Sequence, residues 1–407
     1  MPLQQLPGAT VAIARTAADV ARLAPAWDRL QHHPNADRAF TAALLAARGG
    51  AAEPFVLALP DLDAPTAIVV GRRCRTRLRI RLGYRTLLQP AITAIELAQG
   101  GCLGAVDAAA ATAFAARLSA ELRAGTADVL RQEHLSVDHP LAHALRAAGA
   151  RPAQPLPDRH WVATLPGSFE LFLAARSSNT RRNLRRFEKG FVEPFLNRFR
   201  VRTLDRPQDL ERIVQDLDGI SRATYHRQLG AGFVDGPEKR ALLAQGLADR
   251  SYRALVLDLD GRPIAFWDGR SYRGTFHTET TGYLPEYQDQ RPGWFLLMHL
   301  VHELCCDPGL RAIDFGTGDA QYKQMLCDRS WDELPLVLYA PTLRMRSLRL
   351  LQRSVDTGAR ALRTLLDRLG LTQRLKQWWR RRLAQRAGAA AGSPTPPPAD
   401  PSRTRQV

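Results

Sequence analysis

The chain has 407 residues, of which 45% are hydrophobic and 24% charged, so it is long enough for two globular domains. The N-terminus lacks a basic start followed by an apolar core, and no apolar run approaches the roughly 20 residues of a membrane span, so neither a signal peptide nor a transmembrane helix is predicted. The five cysteines are odd in number and show no CxxC spacing, which favours a reducing, cytoplasmic location.

Most of the net charge of +17 lies near the C-terminus. Residues 344–407 carry 15 basic and 3 acidic side chains, a net of +12, which leaves +5 for the preceding 343 residues. High positive charge is typical of proteins that bind nucleic acid or anionic membranes. Here the charge marks a tail, and the folded body is predicted to be only mildly basic.

Hydrophobic periodicity predicts a mixed α/β unit in the first part of the chain. Its predicted elements are a strand at 10–15, helices at 18–30 and 36–48, strands at 54–59 and 66–73, an apolar stretch at 86–97, a helix at 107–124, a strand at 126–135 and a helix at 139–150. Four prolines then make residues 151–167 an extended connector that breaks helices.

The second half of the chain repeats this plan. Its predicted elements are a strand at 199–204, helices at 207–220 and 237–249, and a three-stranded meander at 251–283. Asp260 and Gly261 supply the tight turn that the first hairpin of the meander requires. Each half runs strand, two helices, strand, acidic turn and a strand ending in Gly-Arg, which predicts two copies of one unit.

The C-terminal tail divides into helical and polar parts. Apolar residues at helical spacing predict a helix from 348 to 369, and a short basic helix with Trp378 and Trp379 follows. The tryptophan pair among basic residues is typical of an anchor for anionic lipid, while packing on the enzyme and RNA binding are the alternatives. The sequence therefore predicts an N-terminal lobe at 1–165, a C-terminal lobe at 166–343, basic amphipathic helices at 344–387 and a disordered tail at 388–407.

The strongest local motif is a strand followed by a glycine-containing loop and a helix. The strand is Ala312–Phe315, and the residues of interest after it are Gly316, Gly318, Asp319, Tyr322 and Lys323. We expect Asp319 to cap the helix that carries the last two. Open α/β sheets usually bind ligands at such a strand end, although a solvated strand–turn–helix is the alternative.

A second motif is the start of a strongly apolar helix near Pro292. A helix N-terminus offers unpaired N–H groups and a partial positive charge, which suit a phosphate, and Arg291 adds a full charge. A helix that starts with proline needs no ligand, so an ordinary core helix is the alternative.

Because both motifs follow a β-meander in this order, residues 168–340 resemble the GNAT superfamily of acyltransferases. They are most similar to its CelD-like branch, which is associated with polysaccharide and cell-envelope acylation and resembles the FemAB-type tandem transferases in architecture. The matching segments are 176–190, 282–297 and 314–323. The resemblance implies a mixed α/β sheet in tandem GNAT-like lobes, of which the first is a diverged copy without these motifs.

The resemblance implies acyl-CoA, in the simplest case acetyl-CoA, as a co-substrate, with no permanently bound cofactor. The acyl-pantetheine arm would insert between 273–281 and 311–315, beside Gly316 and Gly318. The pyrophosphate would lie on the loop of Gln290, Arg291, Gly293, Trp294 and Phe295, where Phe295 replaces the small residue of the family pattern.

Attack on a thioester requires a base for the acceptor and an acid for the leaving thiolate. His277 and Glu279 are two residues apart on a strand, so they share one face and are candidate bases, with an exposed strand face as the alternative. The resemblance implies that Tyr322 protonates the thiolate, with Asp319 and Lys323 as further catalytic candidates; packing on the sheet is the alternative for Tyr322.

Arg181, Arg182 and Arg185 lie on a basic helix near the start of the second lobe. Arg181 and Arg185 share one helix face, where like charges repel unless an anion neutralises them. They are candidate contacts for an anionic substrate, for CoA or lipid phosphates, or for tRNA, and a solvated face is the alternative. His299 and His302 lie three apart, but on an apolar helix, so no metal site is predicted there.

The sequence thus predicts an acyl-CoA-dependent N- or O-acyltransferase. Its acceptor would be an amine or hydroxyl of a polysaccharide, lipid or cell-envelope precursor. The alternatives are a FemAB-like transferase that uses aminoacyl-tRNA and a non-catalytic scaffold at the inner membrane surface.

Overall fold

The structure is a computed structural model that describes residues 10–82, 85–224 and 232–368. The predicted basic helix with Trp378 and Trp379 lies outside these residues, as does the predicted disordered tail. Within the described ranges, no helix is both long and apolar enough to cross a bilayer.

Strands and helices are interspersed along the described chain. The strands are β1 (Ala12–Ala14), β2 (Ala52–Pro54), β3 (Val56–Leu59), β4 (Ala67–Arg77), β5 (Ile80–Leu82), β6 (Arg85–Leu88), β7 (Ala91–Gly104), β8 (Val129–Ser136), β9 (Arg151–Pro152), β10 (Asp158–Thr164), β11 (Phe199–Leu204), β12 (Tyr252–Leu259), β13 (Arg262–Tyr272), β14 (Thr275–Tyr283), β15 (Ala312–Thr317) and β16 (Arg329–Tyr339). The helices are α1 (Ala17–Leu30), α2 (Arg38–Arg48), α3 (Ala108–Arg123), α4 (Pro140–Ala147), α5 (Phe169–Ala174), α6 (Ser178–Phe195), α7 (Leu210–Ala223), α8 (Pro237–Ala248), α9 (Pro292–Cys305), α10 (Gln321–Leu326) and α11 (Leu343–Arg368).

The chain forms two compact units. The first contains the described residues of 1–76 and 91–342 and holds both halves of the predicted repeat. The second contains those of 77–90 and 343–407; in it β5 and β6 form a hairpin and α11 is the helix.

A single mixed sheet organises the first unit. Among the described residues it has 14 strands, in the order β1-β3-β4-β7-β8-β16-β10-β15-β14-β13-β12-β11, with β2 on β4 and β9 on β16. The two halves of the sheet have the same strand order when each is followed from its own edge toward the centre. The strands β1, β3, β4, β7 and β8 of the first half correspond in turn to β11, β12, β13, β14 and β15 of the second. In each half the fourth and fifth strands pair in parallel. The predicted mixed α/β fold with two copies of one unit is confirmed.

The two halves exchange strands at the centre of the sheet. β10 precedes the second half in sequence, yet it pairs antiparallel with both β15 and β16. β16 ends the second half and pairs with β8 of the first. The prediction of a mere connector at 151–167 is therefore wrong for residues 158–164. Its prolines flank this segment, and the segment itself contains none, so it is free to enter a ladder.

Two-residue turns set the register of the meander that carries the site. Asp260 and Gly261 have φ of 50° and 80°, and Arg273 and Gly274 have φ of 44° and 83°. Positive φ at both central residues is the geometry of the hairpin turn whose twist matches the strands. The predicted Asp260-Gly261 turn is confirmed.

Helix α9 is apolar on nearly all sides because it is covered on nearly all sides. It packs on β12, β13 and β14 and also contacts α5 and α6. Phe295, Leu296, Leu300 and Leu304 are each at most 3% exposed. Fully burying such a side chain contributes about 1.5–3 kcal/mol. This packing therefore fixes the position of the N-terminus of α9 beside β14.

Replacing Gly269 with Ala should destabilise the fold by about 1–3 kcal/mol, because β13 and β14 approach closely there. A Cβ at Gly269 would clash with the carbonyl oxygen of His277 and lie 2.6 Å from Cε1 of Phe276. Urea unfolding measures the loss. Gly190→Ala is the control: it lies on α6 with nothing within 4 Å, and Ala favours a helix. Equal stability of G269A and the wild type would contradict this strand register.

Candidate active site

Strands β14 and β15 pair in parallel for only three residues and then diverge. Their last matched pair is His277 and Asp314. Beyond it, Thr278 Oγ1 donates to the carbonyl oxygen of Asp314 at 3.1 Å, so a side chain takes the place of a ladder bond. β14 also bulges here, because its register against β13 shifts between Trp267 and Gly269. The bulge bends β14 away from β15 and opens the sheet.

The opening forms a cavity of about 250 Å³. It lies between the diverging parts of β14 and β15 and extends to α10. The side chains and backbone that line it are Gly232, Trp267, Thr278, Glu279, Thr280, Thr281, Phe315, Thr317, Tyr322 and Lys323. Glu279, Tyr322 and Lys323 of the predicted catalytic residues therefore meet here, whereas His277 and Asp319 are not among the lining residues.

Tyr322 stands in an aromatic wall of the cavity. Its ring lies edge-on to those of Trp267, Phe315 and Trp294, with centroid distances of 5.3, 5.5 and 6.4 Å. Burial raises the pKa of the Tyr322 hydroxyl well above its ordinary 10, so the group stays protonated at neutral pH. Tyr322 thus lines the opening with its hydroxyl group protonated.

Lys323 braces the loop at the end of β15. Its Nζ donates to the carbonyl oxygens of Thr317 at 2.7 Å and Gly316 at 3.2 Å. Burial lowers the pKa of Lys323 to about 8. Gly316 and Gly318 have φ of 66° and 90°, where glycine avoids the strain of a side chain. Lys323 and Thr317 line one end of the cavity, whereas Gly316 and Gly318 are not among its lining residues.

Asp319 does not cap α10, so that prediction is wrong. The N-cap of α10 is Ala320, which makes no side-chain hydrogen bond to the helix. Asp319 Oδ1 instead accepts from Trp161 Nε1 at 3.2 Å. Because Trp161 lies on β10, the carboxylate ties the loop to the exchanged strand, a contact that local sequence does not encode.

Glu279 belongs to a cluster of paired charges beside the cavity. It accepts from Lys239 at 2.5 Å and from Arg270 at 3.2 Å. Burial raises the pKa of Glu279, but the two cations outweigh burial and lower it to about 2. Asp268 also belongs to this cluster and accepts a hydrogen bond from the Tyr252 hydroxyl at 2.7 Å. A carboxylate kept ionised by two cations is a weak proton acceptor, which argues against Glu279 as the general base.

His277 belongs to a second, histidine-rich network. Its Nδ1 lies 3.3 Å from Asp314 Oδ2, and His160 Nε2 lies 2.7 Å from Asp314 Oδ1. His160 Nδ1 lies 3.1 Å from Glu333 Oε1 without hydrogen-bond alignment, so that contact is an ion pair. Burial raises the pKa of Asp314, but His160 and His277 outweigh burial and hold it far below its ordinary value. Asp314 is therefore the permanent anion that orients His277.

The first half of the chain contributes His33 to this network. Its ring lies edge-on to His277 at 4.9 Å, and burial lowers its pKa to about 3, so it stays neutral. Potential ligand atoms of His33, His277 and Asp314 lie within 4.8 Å of one another. Nδ1 of His33 accepts from the Asn35 amide at 3.1 Å, which leaves the proton of the neutral ring on Nε2. In that tautomer Nε2 is a hydrogen-bond donor, and a metal ion would have to displace its proton.

The predicted phosphate loop is partly covered. Arg291 has φ of 56°, and its guanidinium lies 4.2 Å from the ring centroid of Phe187 on α6. The Gly293 carbonyl accepts from Trp267 Nε1 at 3.0 Å, and Gln290 Oε1 is buried without a partner. The Phe295 ring turns into the core, where it is 3% exposed, so it does not occupy the loop.

The three predicted basic residues of α6 lie away from the strand opening. Ser177 caps the helix by accepting from the amide of Thr180 at 3.1 Å. Arg181 and Arg185 line a different cavity, between α5, α6 and α9, whereas Arg182 donates to Asn179 at the helix start. The structure therefore separates these arginines from the candidate catalytic residues.

His160 is expected to stabilise the fold in acidic and neutral solution but not in alkaline solution. Burial lowers the pKa of His160, but Asp314 and Glu333 outweigh it and raise it to about 9 from 6.5. Because the folded state binds this proton more tightly, the stabilisation is complete below pH 6.5 and lost as pH rises through 9. We expect about 2–3 kcal/mol less unfolding free energy at about pH 10 than at about pH 6.

Urea unfolding across this pH range measures the loss. His160→Gln should be less stable at neutral pH and should lack that part of the pH dependence. His143→Gln, at an exposed position on α4, is the control and should keep the wild-type slope. An H160Q protein with the same pH dependence as the wild type would contradict the buried ion pairs.

The comparisons with known proteins agree with this fold. Residues 178–324 match the family model described as an acetyltransferase (GNAT) domain. No curated protein matches the sequence. Among solved structures, FemX aligns with a TM-score of 0.53 at 10% identity, over 84% of this chain and 99% of that chain, which is a similarity of fold alone.

Two further solved structures are similar over comparable lengths. The C-terminal domain of a putative lysylphosphatidylglycerol synthetase from Agrobacterium fabrum has a TM-score of 0.49 at 14% identity, over 83% of this chain and 96% of that one. A tandem GNAT protein from clavulanic acid biosynthesis has a TM-score of 0.48 at 10% identity, over 82% and 99%. The match of residues 178–324 to this family model supports the prediction of an acyltransferase enzyme.

Proposed function

We propose that this chain is a cytoplasmic acyl-CoA-dependent N- or O-acyltransferase of the CelD-like kind. Its acceptor is an amine or hydroxyl of a polysaccharide, lipid or cell-envelope precursor, and Trp378 and Trp379 give it peripheral contact with the inner membrane. One observation carries the proposal: β14 and β15 part after His277 and Asp314, beside the start of α9. Two strands paired along their whole length would leave no room for a donor.

In this proposal the acyl-pantetheine end of the donor occupies the 250 Å³ cavity. Its pyrophosphate lies at the start of α9, where Gly293 is in the first helical turn and its N–H has no intrahelical acceptor. Arg291 adds positive charge at that end, and the helix dipole adds to it.

The reaction forms a bond from the acceptor nitrogen or oxygen to the thioester carbon and breaks the carbon–sulfur bond. His277 takes the acceptor proton, directly or through water, while Asp314 holds its imidazole in orientation. Tyr322 gives its hydroxyl proton to the leaving thiolate and regains a proton from solvent. Lys323 keeps the loop of β15 in place through Gly316 and Thr317.

Aminoacyl-tRNA is the second candidate for the donor. It is favoured by the side chains that cover the start of α9. Phe187 of α6 lies 5.1 Å from Trp294 and under the Arg291 guanidinium, which narrows the approach of a pyrophosphate. The basic face of α6 with Arg181 and Arg185 would suit the phosphates of tRNA.

Isothermal titration with acetyl-CoA and longer acyl-CoAs separates the two donors. We expect saturable binding of at least one acyl-CoA, because the strand opening and the start of α9 lie side by side. Charged tRNA is titrated in parallel, at low and high salt. An absence of heat with every acyl-CoA, together with retention of charged tRNA, would reverse the ranking.

Tyr322→Phe should lower kcat by about 10- to 100-fold with little change in the KM of the donor, because only the departing thiolate needs the lost proton. Steady-state kinetics with the acyl-CoA identified by titration measure both constants. Tyr287→Phe is the matched control, since Tyr287 lies outside the cavity and packs on the core.

His277→Ala should lower kcat by about 100-fold or more at neutral pH. Glu279→Gln should act mainly on stability, because Arg270 loses its anion and Lys239 keeps only Asp268, at 3.6 Å. Full activity of both Y322F and H277A would remove the assigned chemistry and favour the non-catalytic scaffold.

A further inference from the structure

A second cavity lies outside the strand opening, between α5, α6 and α9. Its volume is about 280 Å³. Most of its wall is apolar, from Phe169, Leu173, Leu184, Phe187, Trp294, Phe295 and Met298. Protein interiors are packed at the density of organic crystals, so a recess of this size is more than a packing irregularity between three helices.

The rim of the cavity is polar: Arg185, Glu188, His299 and His302 are exposed, and Arg181 is half-buried. Arg185 is exposed and has no hydrogen-bond or ion-pair partner in the described ranges. Arg181 donates through Nη1 to the carbonyl oxygens of Arg176 at 2.6 Å and Ala174 at 3.2 Å, which fixes its guanidinium beside α5. Glu188 is the acidic side chain among the lining residues. Two cations against one anion give the mouth a positive balance.

Apolar walls and a cationic mouth together define the chemistry of an occupant. Apart from the indole N–H of Trp294, the side chains of the wall carry no strong hydrogen-bond donor or acceptor. The several polar groups of a buried amide or sugar would therefore lose hydrogen bonds to water without replacement. An aliphatic chain loses none. An anionic head at the mouth would form charge-assisted hydrogen bonds with the guanidinium groups.

We propose that this cavity binds the aliphatic chain of an anionic amphiphile of the fatty-acid type, with its head group between Arg181 and Arg185. At about 30 Å³ for each carbon group, close to the share of one water molecule in the liquid, the cavity holds about eight to ten carbons. Trp294 forms part of its wall and lies 6.4 Å from the Tyr322 ring, so the site is separate from the strand opening but adjoins it.

Decanoate is the probe, titrated into the full-length protein at neutral pH and followed by calorimetry. We expect one saturable site per chain. Acetate and inorganic phosphate should not bind, because they lack the chain, and decanol should bind at least about fivefold more weakly, because it lacks the charge. Absence of saturable decanoate binding would overturn the proposal, and so would equal affinities for decanoate and decanol.

Three variants locate the site. Met298→Trp fills the cavity and should weaken decanoate binding by about tenfold or more, and Arg185→Gln removes one head-group contact and should weaken it by about five- to tenfold. Arg182→Gln is the matched control: it makes the same change on the same helix, outside the cavity, and should bind as the wild type. Thermal unfolding checks that each variant folds, and R185Q tests the site if M298W does not.

Titration of decanoate in the presence of saturating acetyl-CoA distinguishes this site from the donor site. When acetyl-CoA is bound, an unchanged affinity for decanoate supports a separate site. If acetyl-CoA does not bind, R185Q and M298W alone locate the decanoate site. Competitive displacement by acetyl-CoA would assign decanoate to the strand opening and overturn the proposal.

Discussion

The buried carboxylate of Asp314 is the interaction on which the centre of the molecule depends. It lies on β15 and contacts His160 of β10 and His277 of β14, and His160 in turn contacts Glu333 of β16. A buried charge is costly unless it is paired, so these four strands must meet as they do to pair it. The same residue is the last in register with β14, so the pairing that joins the exchanged strands also sets where the sheet opens.

Helix α9 lies beside both cavities, and its position is fixed by the elements packed around it. Because the sheet covers one side of it and α5 and α6 cover the other, its first turn is held against β14 on one side and Phe187 on the other. Trp294 lies in this first turn and contacts Phe187 while it faces Tyr322. One residue therefore forms part of the wall of the 280 Å³ cavity and part of the aromatic surroundings of the strand opening. A change at Trp294 would alter both.

Local pattern predicted most of the strands and helices, but not β10, the cap of α10 or the contacts between distant segments. The turn at Asp260 and the strand before Gly316 follow from residue type and period, which act over a few positions. β10 was missed because its partners, β15 and β16, come about 150 residues later, and flanking prolines suggested a linker. Lys239 lies on α8, so its pairing with Glu279 could not be predicted from the spacing of residues on β14. His33 and His160 gave no local signal at all.

The charges around Asp314 bear on the proposed role of His277 as the base. A lone carboxylate beside an imidazole stabilises the imidazolium that forms when the base takes a proton. Here Asp314 is already paired with a protonated His160, which by itself would cancel that effect. Glu333 supplies a second anion to His160, so the group of His160, Asp314 and Glu333 carries a net charge of −1. His277 thus faces the same net charge as it would beside a single carboxylate, with Asp314 held rigidly by the strand exchange.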